Sequence, residues 1–326
     1  PAEEALLAQM TEIARAPSNA FDLLNNADMR FPTIRDEQGE EVELTHGRYI
    51  GFMKSRDRRV RREAFQALYS TYEKQINTIG ALLNASVKKD GLFARVRRYE
   101  STLQQSLFSD NIPVSVYDNL VDTVRSNLHH MHRYVTLRKK ALGVNELHIY
   151  DLYAPLVPDV EFNIPFPEAK EMLTKALEPL GSEYVNTMRQ GMDSGWLDVY
   201  ESAGKISGAY SMGIYGHYPH VLLNHEDNLD GVFTLAHEMG HAMHSYYSNA
   251  TQPYVYSHYT IFLAEVASTV NEALLTEYLL QTTTDRTRRM YIINHYLDRF
   301  RATVFRQTAM YRFEQRLHAA RREHGE

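Results

Sequence analysis

In residues 2–16, Leu6, Leu7, Met10 and Ile13 recur at helical spacing before Ser18 and Asn19 break the pattern, which predicts a short first helix. Residues 29–45 alternate instead. Phe31, Thr33 and Arg35 stand opposite Val42 and Leu44 across the polar run Asp36-Glu37-Gln38-Gly39-Glu40, and that turn chemistry predicts a β-hairpin. From Asp57, a candidate N-cap, a helical pattern passes through Phe65, Leu68, Tyr69, Tyr72 and Ile76 to about Lys89. Residues 114–142 predict a second long helix, opened by Pro113 and ended by Gly143. A proline-interrupted stretch, residues 150–167, reads as loop or short strand, and helix returns over residues 168–192.

The pattern changes over residues 204–224. Glycines at 204, 208, 213 and 216 and tyrosines at 210, 215 and 218 lead into Val221-Leu222-Leu223, predicting a small sheet or a pair of glycine-rich loops. Three helical patterns follow, over residues 229–248, 260–281 and 285–323. No repeat of fixed period and no low-complexity segment is visible. The fold class is therefore mainly α with a small β element.

Composition narrows the function. A chain of 326 residues with 44% hydrophobic content can bury a large core. A net charge of -6 and a pI near 6.2 give no basic footprint, which argues against a nucleic-acid partner. The run Arg58-Arg59-Val60-Arg61-Arg62 reads as a solvated helix face. With no cysteine in the chain, disulfides, thiolate zinc sites and thiol nucleophiles are excluded, so any metal must sit on histidine and carboxylate. No apolar run approaches the length of a membrane span and no signal-peptide pattern opens the sequence, so a cytoplasmic protein without a membrane partner is expected. The start at Pro1 and the charged helical pattern still running at residue 326 lead to the expectation of a fragment or a processed piece.

The chemistry concentrates in Thr234-Leu235-Ala236-His237-Glu238-Met239-Gly240-His241-Ala242-Met243-His244. Histidines four apart lie one turn apart on one helix face, where both can bind a zinc ion at about 2.0 to 2.1 Å. Glu238, next to the first of them, is placed to take a proton from an attacking water. The apolar flanks Val232, Phe233, Leu235, Ala236 and Met239 predict a buried helix, where unpartnered histidines would be costly. Catalytic zinc usually takes a third protein ligand. Glu265 stands alone among apolar residues in Phe262-Leu263-Ala264-Glu265-Val266-Ala267-Ser268-Thr269, and a metal would remove the penalty of burying it, so it is the expected third ligand. Glu272, seven residues on, shares that face and either ligates or accepts a hydrogen bond from a ligand histidine; a solvated helix position is the alternative. Residues 1–110 then form a helical and hairpin portion, and residues 111–326 the portion bearing the metal motif.

These residues, with Asn271-Glu272, Ser207-Gly208-Ala209-Tyr210-Ser211 and Pro219-His220-Val221-Leu222-Leu223-Asn224, resemble the thimet-oligopeptidase family of zinc metallopeptidases, most closely its oligoendopeptidase F branch. The resemblance runs over nearly the whole chain. It implies a zincin-like catalytic lobe in a two-lobed helical architecture around a deep channel that admits short peptides. It further implies one zinc per chain on His237, His241 and Glu265, with Glu238 as base, and a segment near Gly208 and Ala209 that pairs with substrate backbone as an edge strand. The family also supplies a histidine and tyrosines, well beyond the glutamate ligand, that stabilise the oxyanion. No such segment is found before Glu326, so a truncated, weakly active catalyst is expected.

His258 and Tyr259, just before the Glu265 helix, are candidates for substrate contact, with a structural role as the alternative. His129, His130 and His132 point in different directions on a helix and are not expected to bind metal. The expected function is a zinc-dependent endopeptidase of oligopeptides. A zinc aminopeptidase of the same ligand type and a non-catalytic zinc-bearing peptide-binding module are the alternatives.

Overall fold

The structure, a computed structural model, describes residues 2–157, 162–202, 205–206 and 208–324. Ser207, residues 203–204 and 158–161, and the last two residues, on which parts of the sequence reading fall, lie outside the described residues. In chain order the helices are α1 (Ala2–Ala14), α2 (Ala16–Leu23), α3 (His46–Met53), α4 (Arg58–Glu73), α5 (Ile76–Val96), α6 (Thr102–Phe108), α7 (Val114–Ser126), α8 (Leu128–Ala141), α9 (Phe166–Ala176), α10 (Ser182–Asp193), α11 (Leu229–Thr251), α12 (Ile261–Thr282), α13 (Arg286–Phe300) and α14 (Gln307–His324). The strands are β1 (Thr33–Arg35), β2 (Glu41–Glu43), β3 (Leu197–Asp198), β4 (Tyr210–Met212) and β5 (His220–Leu222). The described residues are mainly α with two small sheets, and no described helix is long and apolar enough to cross a membrane.

Two compact units emerge, one comprising Pro1–Leu156 with Arg299–Glu326, the other Val157–Asp298. Residues 110 and 111, between which the sequence suggested a boundary, lie inside the first unit. There the predicted hairpin forms, with Thr33, Ile34 and Arg35 opposite Glu43, Val42 and Glu41. Asp36 Oδ1 accepts from the backbone N–H groups of Gln38 and Glu40 and ties the turn. Ile34 and Leu44 pack with Ala64 and Leu68 of α4, which Asp57 caps through the Arg59 N–H.

Several long helical patterns prove to be pairs of helices. The short first helix ends at Ala14, and Ser18 and Asn19 lie inside a further helix, α2, whose first turn holds Pro17, where a missing N–H is harmless. The run from Asp57 breaks between Lys74 and Gln75. The run from Val114 breaks at Asn127, whose side chain donates to the Thr123 carbonyl and whose backbone leaves the helical region. Apolar phase carries across each break, so periodicity alone could not show it. After α13, a wider-pitched stretch, Arg301–Arg306, leads into α14.

The basic run at residues 58–62 is not simply a solvated face. Arg61 is buried, and its Nη2 donates to Asp151 Oδ1 at 2.9 Å, while Arg58 grips both oxygens of that carboxylate at 3.1 and 2.9 Å. The His148 N–H donates to the same group at 3.0 Å. Asp151 is fully buried. Burial pushes its pKa up, but these donors outweigh burial and hold it down to about 2.

In the second unit, β5 is the central strand, parallel to β3 with Leu197 beside Val221 and antiparallel to β4 with Tyr210, Ser211 and Met212 opposite Leu222, Val221 and His220. The two-residue β3 was too short to leave a pattern. The predicted helix over residues 168–192 divides around Gly181, whose φ of +92° suits glycine. One core joins Leu173, Met188, Trp196, Val221 and Leu223 to Val232, Phe233, Leu235, Met239 and Met243 of α11 and Leu275 of α12. Asn228 caps α11, its side chain accepting from the Gly231 N–H at 2.9 Å.

The Asp151 cluster sets a stability prediction for the first unit. A depressed carboxylate pKa contributes stability that is complete above the unfolded value near 3.9 and is lost as pH falls toward about 2. Urea titrations should show that loss, and Asp151→Asn should lower stability at neutral pH by about 3 to 5 kcal/mol by leaving Arg61 buried without its partner. An unchanged midpoint would show the cluster to be energetically idle.

Candidate metal centre

Helix α11 carries the His-Glu-x-x-His motif and α12 carries both candidate carboxylates. The two helices cross at Gly240. A Cβ there would lie 2.7 Å from Ser268 Cα, 2.8 Å from the Ala267 carbonyl oxygen and 2.9 Å from the Ser268 nitrogen, so only glycine lets the backbones approach this closely. Ala264 and Ser268, one turn apart, present small buried side chains on α12. Asn271, almost fully buried, donates to the Ala236 carbonyl at 3.1 Å and accepts from the Tyr184 hydroxyl of α10 at 3.2 Å. It braces the turn that bears His237.

The crossing brings the predicted residues together. Nε2 of His237 and Nε2 of His241 lie 3.1 Å apart. Glu265 Oε2 is 3.6 Å from the first and Oε1 is 3.8 Å from the second. Among the described residues, His237, His241 and Glu265 form the one group of three or more possible ligands, with one atom from each mutually within 4.8 Å. Glu272 stands behind them, its Oε1 2.7 Å from His237 Nδ1. Glu238 faces inward from α11 and is buried.

These residues fit a metal ion. With the Nδ1–H of His237 donating to Glu272, its Nε2 lone pair faces the second imidazole nitrogen at 3.1 Å. Two lone pairs so close repel unless a proton or a cation lies between them, and the spacing is near the ligand separation of about 3.3 Å expected around a tetrahedral ion with bonds of about 2.0 to 2.1 Å. Burial disfavours charge on His237, but the Glu272 hydrogen bond and the surrounding carboxylates outweigh it and raise its pKa. His241 is lowered, first by burial and then by the charge on His237. Burial raises Glu238, with the Glu265 and Glu272 charges adding to it against His237.

Glu265 is less buried than its apolar neighbours in sequence suggest. Its side chain is 46% exposed and its neighbours Phe262, Leu263 and Val266 are exposed as well, so the cost of burial does not explain it; the helix crossing does. Glu272 is not the solvated position held as its alternative: its side chain is only 15% exposed beside the buried Asn271, although Val270 and Ala273 next to them are exposed. Tyr259 is half-buried, stacked on the His244 ring at 3.6 Å, with its hydroxyl 2.6 Å from Ser245 Oγ. His258 is exposed and makes a ring contact with Tyr254. Gly208 has φ +92°, and its carbonyl accepts from Asn224 at 2.8 Å. Gly208 and Ala209 immediately precede β4, an edge strand of the three-stranded sheet. Sequence reasoning passed over Gly240, Ser268 and the bracing role of Asn271. The small residues at 264 and 268 were the available signal for a close helix crossing.

Residues 51–326 match peptidase family M3, and residues 1–31 match the family described as Oligopeptidase F. The chain belongs to peptidase family M3. Among curated relatives, Oligopeptidase PepF of Bacillus subtilis is 50% identical over 98% of this chain and 48% of its own length. Group B oligopeptidase PepB of Streptococcus agalactiae is 45% identical over 98% of this chain and 53% of its own. The crystal structure of oligoendopeptidase-F from Enterococcus faecium superposes with a TM-score of 0.75 at 42% identity, covering 99% of this chain and 51% of that one. The chain thus spans about half the length of the curated relatives it matches. Membership in family M3 implies a metal cofactor, in agreement with the donor set.

For an M3 chain held together this way, Gly240→Ala should force α11 and α12 apart. Stability should fall by about 1 to 3 kcal/mol through overpacking, and metal affinity should fall with it. Urea unfolding and metal titration of the purified variant check this; parental values in both would mean that the close crossing does not position the ligands.

Proposed function

We propose that this chain carries the metal-binding and proton-transfer residues of a zinc-dependent endopeptidase that hydrolyses short oligopeptides. The observation that carries the reading is the convergence of His237, His241 and Glu265, with His237 held by Glu272. Histidine nitrogens and one carboxylate are a donor set suited to zinc, and three protein ligands leave a position open for chemistry. Bound there, zinc would act as a Lewis acid toward water and the peptide carbonyl.

The protein residues divide the remaining work. Glu238 takes a proton from the attacking water and delivers it to the leaving amine; its burial, which raises its pKa, suits a group that must both accept and release a proton. Glu272 fixes the tautomer and orientation of His237. The edge strand β4, with Gly208 and Ala209 before it, offers backbone groups to an extended peptide. Family membership and the oligopeptidase names of the relatives support oligopeptides as the substrate class. The cysteine-free composition supports a cytoplasmic location.

Metal analysis should give one zinc per chain, lost in His241→Ala and in Glu265→Ala. Glu238→Gln should keep the zinc yet lower cleavage of internal bonds in quenched peptides by about 10² to 10⁴-fold, because the amide cannot accept the proton. Chelation should abolish cleavage. Turnover that survives chelation, or that is unchanged in Glu238→Gln, would refute the reading, and stepwise release of amino-terminal residues would make the enzyme an aminopeptidase instead.

A further inference from the structure

Glu265 is the one candidate ligand whose side chain is substantially open to solvent, at 46%, against 26% for His237 and 16% for His241. An exposed glutamate has three side-chain torsions and many rotamers, so something must hold its carboxylate beside the imidazoles. The group that touches it is the Ser268 hydroxyl, one turn further along α12. Ser268 Oγ lies 2.8 Å from Glu265 Oε2 and 3.1 Å from the Glu265 carbonyl oxygen.

Ser268 is fully buried, because the α11 backbone at Gly240 passes directly over it. Its proton is therefore shielded from water, and both acceptors it reaches belong to Glu265. The carboxylate is the nearer and the charged one, and a hydrogen bond to a charged acceptor is the stronger of the two. Held in this way, Oε2 lies 3.6 Å from His237 Nε2 and Oε1 lies 3.8 Å from His241 Nε2, so one hydrogen bond fixes the whole carboxylate beside both imidazoles.

We propose that Ser268 is a positioning residue for the metal centre: its buried hydroxyl clamps Oε2 of Glu265 and fixes the rotamer of that ligand, so that the exposed carboxylate stays beside the two imidazoles. This inference rests on the assignment of Glu265 as a ligand. It gives Gly240 a second role, since the same close crossing that brings α12 to the histidines also dehydrates the Ser268 hydroxyl. Thr269, the next residue, is the natural control. Its hydroxyl bonds to the carbonyls of Glu265 and Val266, as a helix back-bond without reach to the carboxylate.

The test compares the parent chain, Ser268→Ala, Thr269→Ala and Glu265→Ala by zinc competition against a chromophoric chelator and by absorption of the cobalt-substituted proteins. Ser268→Ala should bind zinc about 10- to 100-fold more weakly, as expected for loss of an outer hydrogen bond to a ligand. Its cobalt bands should also change in position and intensity, because a Glu265 carboxylate freed of the clamp no longer coordinates in one fixed arrangement. Thr269→Ala should match the parent in both. Parental affinity in Ser268→Ala overturns the proposal, and so does weaker binding with an unchanged cobalt spectrum, which would mark a packing effect. Failure of the parent to bind zinc, or undiminished binding in Glu265→Ala, would instead overturn the ligand assignment and this inference with it.

Discussion

Gly240 sits where α11 and α12 press their backbones together, and its missing side chain sets the distance between the helix that carries the histidines and the helix that carries the carboxylates. A Cβ there would lie 2.7 Å from the Cα of Ser268, closer than any packed structure tolerates. From that contact follow the 3.6 and 3.8 Å separations of Glu265 from His237 and His241 and the 2.7 Å hydrogen bond from His237 to Glu272. Side-chain reach could not compensate for a wider crossing, because the imidazoles have only two torsions each and already point at one another.

The rest of the second unit holds α11 in place for this purpose. Val232, Phe233, Leu235, Met239 and Met243 are buried on its core side, and Asn228 terminates it with a side-chain cap. Asn271 ties it to α12 and α10 through Ala236 and Tyr184. A helix so fixed keeps two imidazole nitrogens 3.1 Å apart, a spacing that either a shared proton or a bound cation satisfies. The three nearby carboxylates, Glu238, Glu265 and Glu272, favour a cation between the imidazoles, and burial raises the pKa of Glu238.

Much of this was legible in the sequence, and what was not has identifiable causes. The four-residue spacing of His237 and His241 is read on any helix, and the apolar flanks announced that this helix would be buried. Glu265 was identified for a reason the structure does not support, since its isolation among Phe262, Leu263 and Val266 does not bury it. The feature that explains its position, small residues at 264 and 268 facing a glycine at 240, pairs two segments; the small residues hint at a close crossing, but neither segment alone shows what they face. The same limit hid the ion cluster of the first unit. Arg61 and Asp151 are ninety positions apart, and nothing local distinguishes Arg61 from its solvated neighbours. Helix breaks at Lys74 and Asn127 were missed because the apolar phase continues across them, whereas Gly143, with φ +64°, was a dependable stop.

The central claim is that the close crossing of α11 and α12 presents two imidazoles and one carboxylate, and no third imidazole, to a single ion. X-ray absorption at the zinc edge of the metal-loaded chain measures this directly, because multiple scattering from the imidazole ring counts the bound histidines. The account predicts two histidines per zinc, with a remaining first shell of oxygen that loses intensity in Glu265→Ala. A count of three, which would bring His244 onto the metal and displace Glu265, would contradict it.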